Sequence, residues 1–155
     1  MKEIILVRHG ENVIDDIIPN DLLELSSVGI NQAKKVSKIL NNNFDIIISS
    51  PSKRTFDTAK IISNDKEIII DDRLLERGWY HSNGNETDNE AKRRFKELFD
   101  ELEIKYKEKT VLLVTHGALI RLAEDVIENK ELLRDRVNNC DIIRYKKSNN
   151  MDGLI

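Results

Sequence analysis

The chain begins with an apolar run, Ile4-Ile5-Leu6-Val7, that stops abruptly at Arg8-His9-Gly10-Glu11. A short aliphatic run bounded by polar residues predicts a buried strand. Asn12–Leu25 is polar and irregular around Pro19, and predicts a surface loop. The spacing then turns helical. Ser27 stands where a cap is expected, for a helix reaching Leu40 with Val28, Ala33, Val36, Ile39 and Leu40 on its inner face. Phe44–Ile48 predicts a second strand, and Ser52–Ile62 a helix that turns Phe56, Ala59, Ile61 and Ile62 to the sheet. Glu67–Ile70 predicts a short strand. Glu86–Glu103 is the longest helical pattern, with Phe95, Leu98, Phe99 and Leu102 in register. A strand at Val111–Thr115, a helix at Ala118–Ile127 and a strand at Asp141–Tyr145 complete the chain.

Strands alternating with helices of this length predict an α/β fold, a three-layer α/β/α sandwich around a mainly parallel sheet. No internal repeat or boundary interrupts the pattern. Residues 1–155 are therefore expected to form one domain, with 149–155 as a frayed tail.

Composition narrows the function. The chain has 155 residues, 39% hydrophobic and 34% charged. That length can bury roughly 70% of the surface its unfolded form exposes. A net charge of −3 argues against a nucleic-acid partner, which needs a broad basic face. Lys92-Arg93-Arg94 and Lys105-Tyr106-Lys107 are interleaved with acids and read as solvated helix faces. The single cysteine, Cys140, excludes an internal disulfide or a cysteine metal cage, and reads as a small apolar residue of the last strand. No stretch approaches the ~18 apolar residues of a membrane helix, and Met1-Lys2-Glu3 runs straight into a strand. A cytoplasmic protein without a membrane partner is expected, its oligomeric state illegible.

The chemistry lies at two strand ends. Val111–Thr115 runs into His116-Gly117 much as Ile4–Val7 runs into Arg8-His9-Gly10, with the two histidines 107 positions apart. Open α/β sheets place ligands beyond the carboxyl ends of their strands, so both junctions are expected to build one site for anionic chemistry. No spacing of His, Asp or Glu resembles a metal centre, and neither metal nor cofactor is expected. Ser49 and Ser50 lack a Gly-x-Ser-x-Gly elbow and are expected to orient the loop carrying Arg54. His81 reads as solvated, and Trp79 with Tyr80 as a hydrophobic lid or rim.

Five segments, in order, resemble the histidine phosphatase superfamily, the phosphoglycerate-mutase-like proteins. They are Arg8-His9-Gly10-Glu11, Leu25–Ala33, the Ser49-Ser50-Pro51 segment running through Arg54 to Thr58-Ala59, Arg73-Leu74-Leu75-Glu76, and Val114-Thr115-His116-Gly117. The resemblance implies the phosphoglycerate-mutase-like fold and a phosphohistidine intermediate on His9. It implies that Arg8 and Arg54 clamp the phosphoryl oxygens, that His116 gives a further donor, and that Glu76 is the acid. Glu11 is implied to be structural.

Chemistry agrees with these assignments. Neutral imidazole is available near pH 7, guanidinium matches two oxygens at once, and the Gly117 and Ala118 amides begin a helix, where anions are favoured. Gly10 and Gly117 are expected because backbone must approach the phosphate closely. Glu76 is expected to be held protonated until transfer.

Two departures stand out. Where many members carry a phosphate-binding asparagine, this chain has Asp15, so either the loop is displaced with Asn12 substituting or the pocket is weak. Residues 77–90 are short where larger members insert helices over the site. The expectation is a metal-independent phosphatase acting on monoesters of a small molecule or a phosphoprotein. The alternatives are a phosphoglycerate or sugar-phosphate mutase, or a catalytically weakened phosphate-binding protein.

Overall fold

The computed structural model describes residues 1–81 and 83–147. The stretch 149–155, expected to fray, lies outside them. Five strands, β1 (Glu3–Arg8), β2 (Ile46–Ser49), β3 (Ile68–Ile70), β4 (Thr110–Thr115) and β5 (Ile142–Lys146), form one sheet in the order β3-β2-β4-β1-β5. All neighbours are parallel except β1 and β5. Four helices connect them: α1 (Ser27–Leu40), α2 (Lys53–Ser63), α3 (Asp88–Lys105) and α4 (Gly117–Glu128).

Strand alternation explains the three layers. Ile5 and Val7 of β1, with Leu112 and Val114 of β4, pack against Val36 and Leu40 of α1 and Ala59 and Ile62 of α2. Their neighbours Ile4, Leu6, Val111 and Leu113 point the other way, onto Phe95, Leu98 and Leu102 of α3 and Leu119, Ile120 and Ala123 of α4. A strand buried on both faces has no polar side, which is why β1 and β4 read as unbroken apolar runs.

Four details differ from the sequence reading. Ser26 rather than Ser27 caps α1, its Oγ accepting from the Gly29 amide at 3.1 Å. The buried stripe is therefore Gly29, Ala33, Val36 and Leu40, at helical spacing. Val28 and Ile39 fall one position off it and are 49% and 67% exposed. Phe56 and Ile61 of α2 are only half buried. Cys140 stands in the turn before β5 rather than in the strand. Burial pushes its thiol up to about 11, so it is no nucleophile.

The topology positions a site. Helices α1 and α2 cover one face and α3 and α4 the other, so the connections leaving the adjacent strands β1 and β4 go to opposite faces. Such a reversal opens a crevice at the carboxyl ends of the two strands.

Candidate active site

His9 follows β1 and His116 follows β4, and the paired strands bring their rings to 5.3 Å between centroids, edge to face. The His9 backbone is fastened on several sides. Its amide donates to Thr115 O at 3.0 Å, and its carbonyl accepts from the Asn139 amide group at 3.1 Å and from Cys140 N at 3.3 Å. Next to it, Gly10 N donates to Thr58 Oγ1 at 3.0 Å, and that hydroxyl donates to Arg54 O at 2.7 Å. Thr58 thus ties the loop carrying His9 to the helix carrying Arg54.

Arg54 joins the two imidazoles. Its Nε donates to His9 Nε2 at 3.3 Å and its Nη2 to His116 Nδ1 at 3.4 Å, while Nη1 is anchored on Asn20 O at 2.8 Å. These partners assign the tautomers. His9 Nδ1 lies 2.8 Å from the Gly10 carbonyl, which can only accept, so Nδ1 carries the proton and Nε2 a lone pair. His116 is the reverse: Nδ1 accepts from Arg54, so Nε2–H donates to Ser50 Oγ at 3.0 Å. Its N–H therefore points at Ser50, away from the arginine. Ser50 meets the Arg54 segment as expected, its carbonyl accepting from Thr55 Oγ1 at 2.8 Å, while its hydroxyl orients His116.

Both rings are held neutral. Burial pulls His9 down from 6.5 to about 4, with the Gly10 carbonyl opposing and Arg54 and Arg8 adding. Burial also takes His116 well below its ordinary value, reinforced by His9 and by Arg54, Arg8 and Arg94.

Arg8 donates through Nη1 to Val137 O at 2.8 Å, and its buried Nε has no partner among the described residues. A buried donor without an acceptor is costly unless a ligand supplies one. A Cβ on Gly117 would stand 3.3 Å from Arg8 Cδ and Nε, so the glycine makes room for this side chain. Gly10 has a different reason from the one expected. Its Cβ would lie 2.7 Å from Gly29 O, and one on Gly29 would lie 2.0 Å from Glu11 O. The two glycines let the His9 loop rest on the first turn of α1. Glu11 is bound there too, accepting from Ser26 Oγ at 2.9 Å.

Glu76 follows the 3-10 turn Asp72–Leu74 and is fixed by backbone amides. Its carboxylate sits on the start of α4: Oε1 accepts from Leu119 N at 2.9 Å and Arg77 N at 2.8 Å, and Oε2 from Ala118 N at 3.3 Å. The Ala118 amide, expected to meet phosphate, is thus turned onto Glu76. Asn12 donates its amide to Val13 O at 2.9 Å, and this bond does not bring it to the imidazole pair. Asp15 is exposed and accepts from Ile17 N at 2.9 Å, so its carboxylate closes its own loop.

Arg94 corrects the reading of Lys92-Arg93-Arg94 as a solvated face. It is buried and ion-paired to Glu86, and donates to backbone carbonyls of the loop that carries Glu76. The heptad-like spacing of α3 hid it, because a lone arginine on an apolar stripe looks like a surface residue from sequence.

Outside the imidazole pair a pocket of about 430 Å³ is lined by Asn20, Asp21, Ser52, Arg54, Leu75, Glu76 and Trp79. Trp79 is 56% exposed on this wall. Tyr80 turns away, with the Arg94 guanidinium 5.1 Å from its ring centre, and His81 is exposed beside it. Among the described residues no three His, Cys, Asp or Glu gather as a metal-holding group, and no helix is long and apolar enough to cross a membrane.

The sequence profile of the histidine phosphatase superfamily (branch 1) matches residues 4–93 and 78–150. A 2,3-bisphosphoglycerate-dependent phosphoglycerate mutase of Thermoplasma acidophilum is 40% identical over 88 residues, 50% of this chain but 42% of its own length. The match thus spans less than half of that protein. An uncharacterized phosphatase of Bacillus subtilis is 29% identical over 166 residues, covering 90% of this chain and 86% of its own. Among solved structures, a mutant phosphoserine phosphatase from Entamoeba histolytica in complex with phosphoserine superposes with a TM-score of 0.80 at 24% identity, over 93% of this chain and 90% of that one. At that identity the likeness concerns the fold.

Proposed function

This chain belongs to the histidine phosphatase superfamily, and we propose that it is a metal-independent phosphatase that hydrolyses phosphate monoesters through a phosphohistidine on His9. The supporting observation is the Arg54 bridge, which turns the lone pair of a neutral, buried His9 Nε2 toward a fixed cation. In the reaction, Nε2 attacks phosphorus, the P–O bond to the alcohol breaks, and the leaving oxygen takes a proton from Glu76. Water then gives a proton back to Glu76 and attacks the phosphohistidine, releasing inorganic phosphate.

Arg54 and Arg8 hold the non-bridging oxygens as charge shifts among them. Arg8 Nε is the donor that lacks an acceptor among the described residues. His116 accepts from Arg54 through Nδ1 and keeps the guanidinium in place against the anion. Glu76 Oε2, whose amide partner stands at 3.3 Å, is the oxygen freer to carry a proton. The Gly117 amide is a further donor for the anion, whereas Ala118 and Asn12, bonded to Glu76 and to Val13 O, take part only if the site rearranges.

Mutase chemistry is the second reading, favoured by the 40% identity to a phosphoglycerate mutase. Against it, Arg54 is the one cation among the residues lining the outer pocket, and Asp21 faces it there. A second phosphate or carboxylate would meet a like charge. The test is product analysis with 3-phosphoglycerate and simple monoesters, alongside acid quenching for phosphohistidine. Inorganic phosphate released in step with substrate loss supports the phosphatase. Movement of phosphate between hydroxyls without release makes it a mutase, and neither outcome with retained phosphate binding makes it a binding protein. The substrate, a small molecule or a phosphoprotein, and a cytoplasmic location belong to the same proposal.

A further inference from the structure

The loop from Arg73 to Tyr80 carries Glu76 and has almost no regular structure beyond the 3-10 turn Asp72–Leu74. Something outside it must set where the carboxylate stands. Arg94 of α3 does this through four N–H groups. Nε and Nη2 form a fork on Glu86 Oε2 and Oε1, each at 2.7 Å. Nη1 donates to Arg73 O at 2.7 Å, and Nη2 also to Glu76 O at 3.1 Å. Glu86 completes the bracket from the other side, accepting from Gly78 N at 2.9 Å and from the Tyr80 amide. The arginine therefore holds loop carbonyls before and at Glu76, and the glutamate holds loop amides after it.

Both side chains of the pair are almost wholly buried, at 3% and 2% exposure. A buried charge pair is costly to assemble and is weak evidence for stability by itself. What this one does is fix a loop. Burial works against the Glu86 carboxylate, but the Arg94 bonds and the two amides outweigh it and hold its pKa below the ordinary value. The Glu86 carboxylate thus stays ionised across the neutral range.

We propose that Arg94, locked by Glu86, is the positioning residue for the Glu76 proton donor: it sets the carboxylate against α4 without touching substrate. The proposal rests on the acid role given to Glu76 above. Lysine cannot substitute, since a single ammonium cannot span the Glu86 fork and two carbonyls together.

The experiment compares Arg94→Lys and Glu86→Gln with Glu76→Gln on phenyl phosphate and p-nitrophenyl phosphate, two aryl esters whose leaving groups differ in their need for a proton. A carboxylate displaced by about 1 Å should cost up to ~100-fold, so Arg94→Lys should lose at least about tenfold more on phenyl than on p-nitrophenyl phosphate. Added to Glu76→Gln, it should cost nothing further. Equal losses on both esters, or full additivity, overturn the proposal, because a merely structural defect lowers both alike.

A readout independent of turnover is amide exchange at Leu119, whose N–H the Glu76 carboxylate accepts. Protection there should fall in Arg94→Lys while β4 amides keep theirs; unchanged Leu119 protection overturns the proposal. Should Arg94→Lys not fold, Glu86→Gln carries the same two readings. If Glu76→Gln itself affects both esters equally, the acid role fails, and the exchange result still decides whether Arg94 positions the carboxylate.

Discussion

Ser50 Oγ lies 3.0 Å from His116 Nε2, and this contact settles which nitrogen of a buried imidazole faces Arg54. The serine is itself pinned by strand geometry, since its amide donates to Val114 O at 3.0 Å. Ser50→Ala would leave Nε2–H buried without a partner, at a cost of about 1–3 kcal/mol. The ring would then be free to present either nitrogen to Arg54. Turnover should fall by roughly 10–100-fold with KM changing less, as expected for a mispositioned group. Steady-state kinetics and the imidazole nitrogen shifts of His116 by NMR check both parts, and an unchanged tautomer with full activity counts against the account.

His9 gives a pH dependence of definite sign. In the unfolded chain it takes a proton near its ordinary pKa of 6.5, in the folded protein only near 4. Between those values the unfolded chain holds more protons, so stability is full above 6.5 and is lost as pH falls toward 4. The gap corresponds to about 3 kcal/mol. His9→Gln should remove this loss while abolishing turnover. Urea unfolding of both proteins between neutral and acidic pH should show a shallower acid slope in the variant, and identical slopes would mean that His9 titrates normally when folded.

The Gly10–Gly29 contact leaves no room for a methyl group on either side. Gly29→Ala should force the His9 loop away from α1 and destabilise the protein by about 1–3 kcal/mol, the usual range for overpacking. Well below the melting temperature the variant should still bind inorganic phosphate more weakly than the wild type, because the displaced loop is the one tied through Thr58 to Arg54. Calorimetric titration with phosphate checks this; a stability loss with intact affinity would limit the contact to packing.

Asp15 is expected to be neutral in effect. Its carboxylate is exposed and engaged with its own loop, and an exposed charge is screened by salt. Asp15→Asn, which can make the same turn bond, should change phosphate affinity by less than about twofold at physiological ionic strength. A tenfold gain would show the carboxylate reaching the anion.

Chelation is the last check on the proposed chemistry. Activity should persist in excess EDTA, with His9, Arg8 and Arg54 doing the work a metal does elsewhere. Loss on chelation with recovery on adding magnesium would require a different mechanism.

The alternation of apolar runs and helical spacing was enough to find each strand and α-helix among the described residues, though not the 3-10 turns Asn20–Leu22 and Asp72–Leu74, because both faces of this sheet are buried and the signal is strong. What it missed depends on rotation and on partners. Val28 and Ile39 look like core residues until the cap at Ser26 sets the phase of α1. Arg94 looks like surface charge until Glu86, eight residues earlier and just before the cap of α3, is seen to meet it. Likewise the site's cations and imidazoles were visible as motifs, but their tautomers, the Arg54 bridge and the seat of Glu76 on α4 follow from contacts between distant segments. No local pattern encodes those.

The pairing of β1 with β4 also governs when the site can come into being. Residues 3–8 have no neighbour on that side until residues 110–115 are available. A nascent chain therefore carries His9 and Arg54 through most of its synthesis with one wall of the cleft missing, and the second imidazole arrives late. Fragments ending before Thr110 should be inert however well α1 and α2 form. Such distant strand pairing also slows folding, since the loop must close before its contacts reward it. Recovery of activity during refolding would then lag the gain of helix, making catalysis a clock for completion of the sheet.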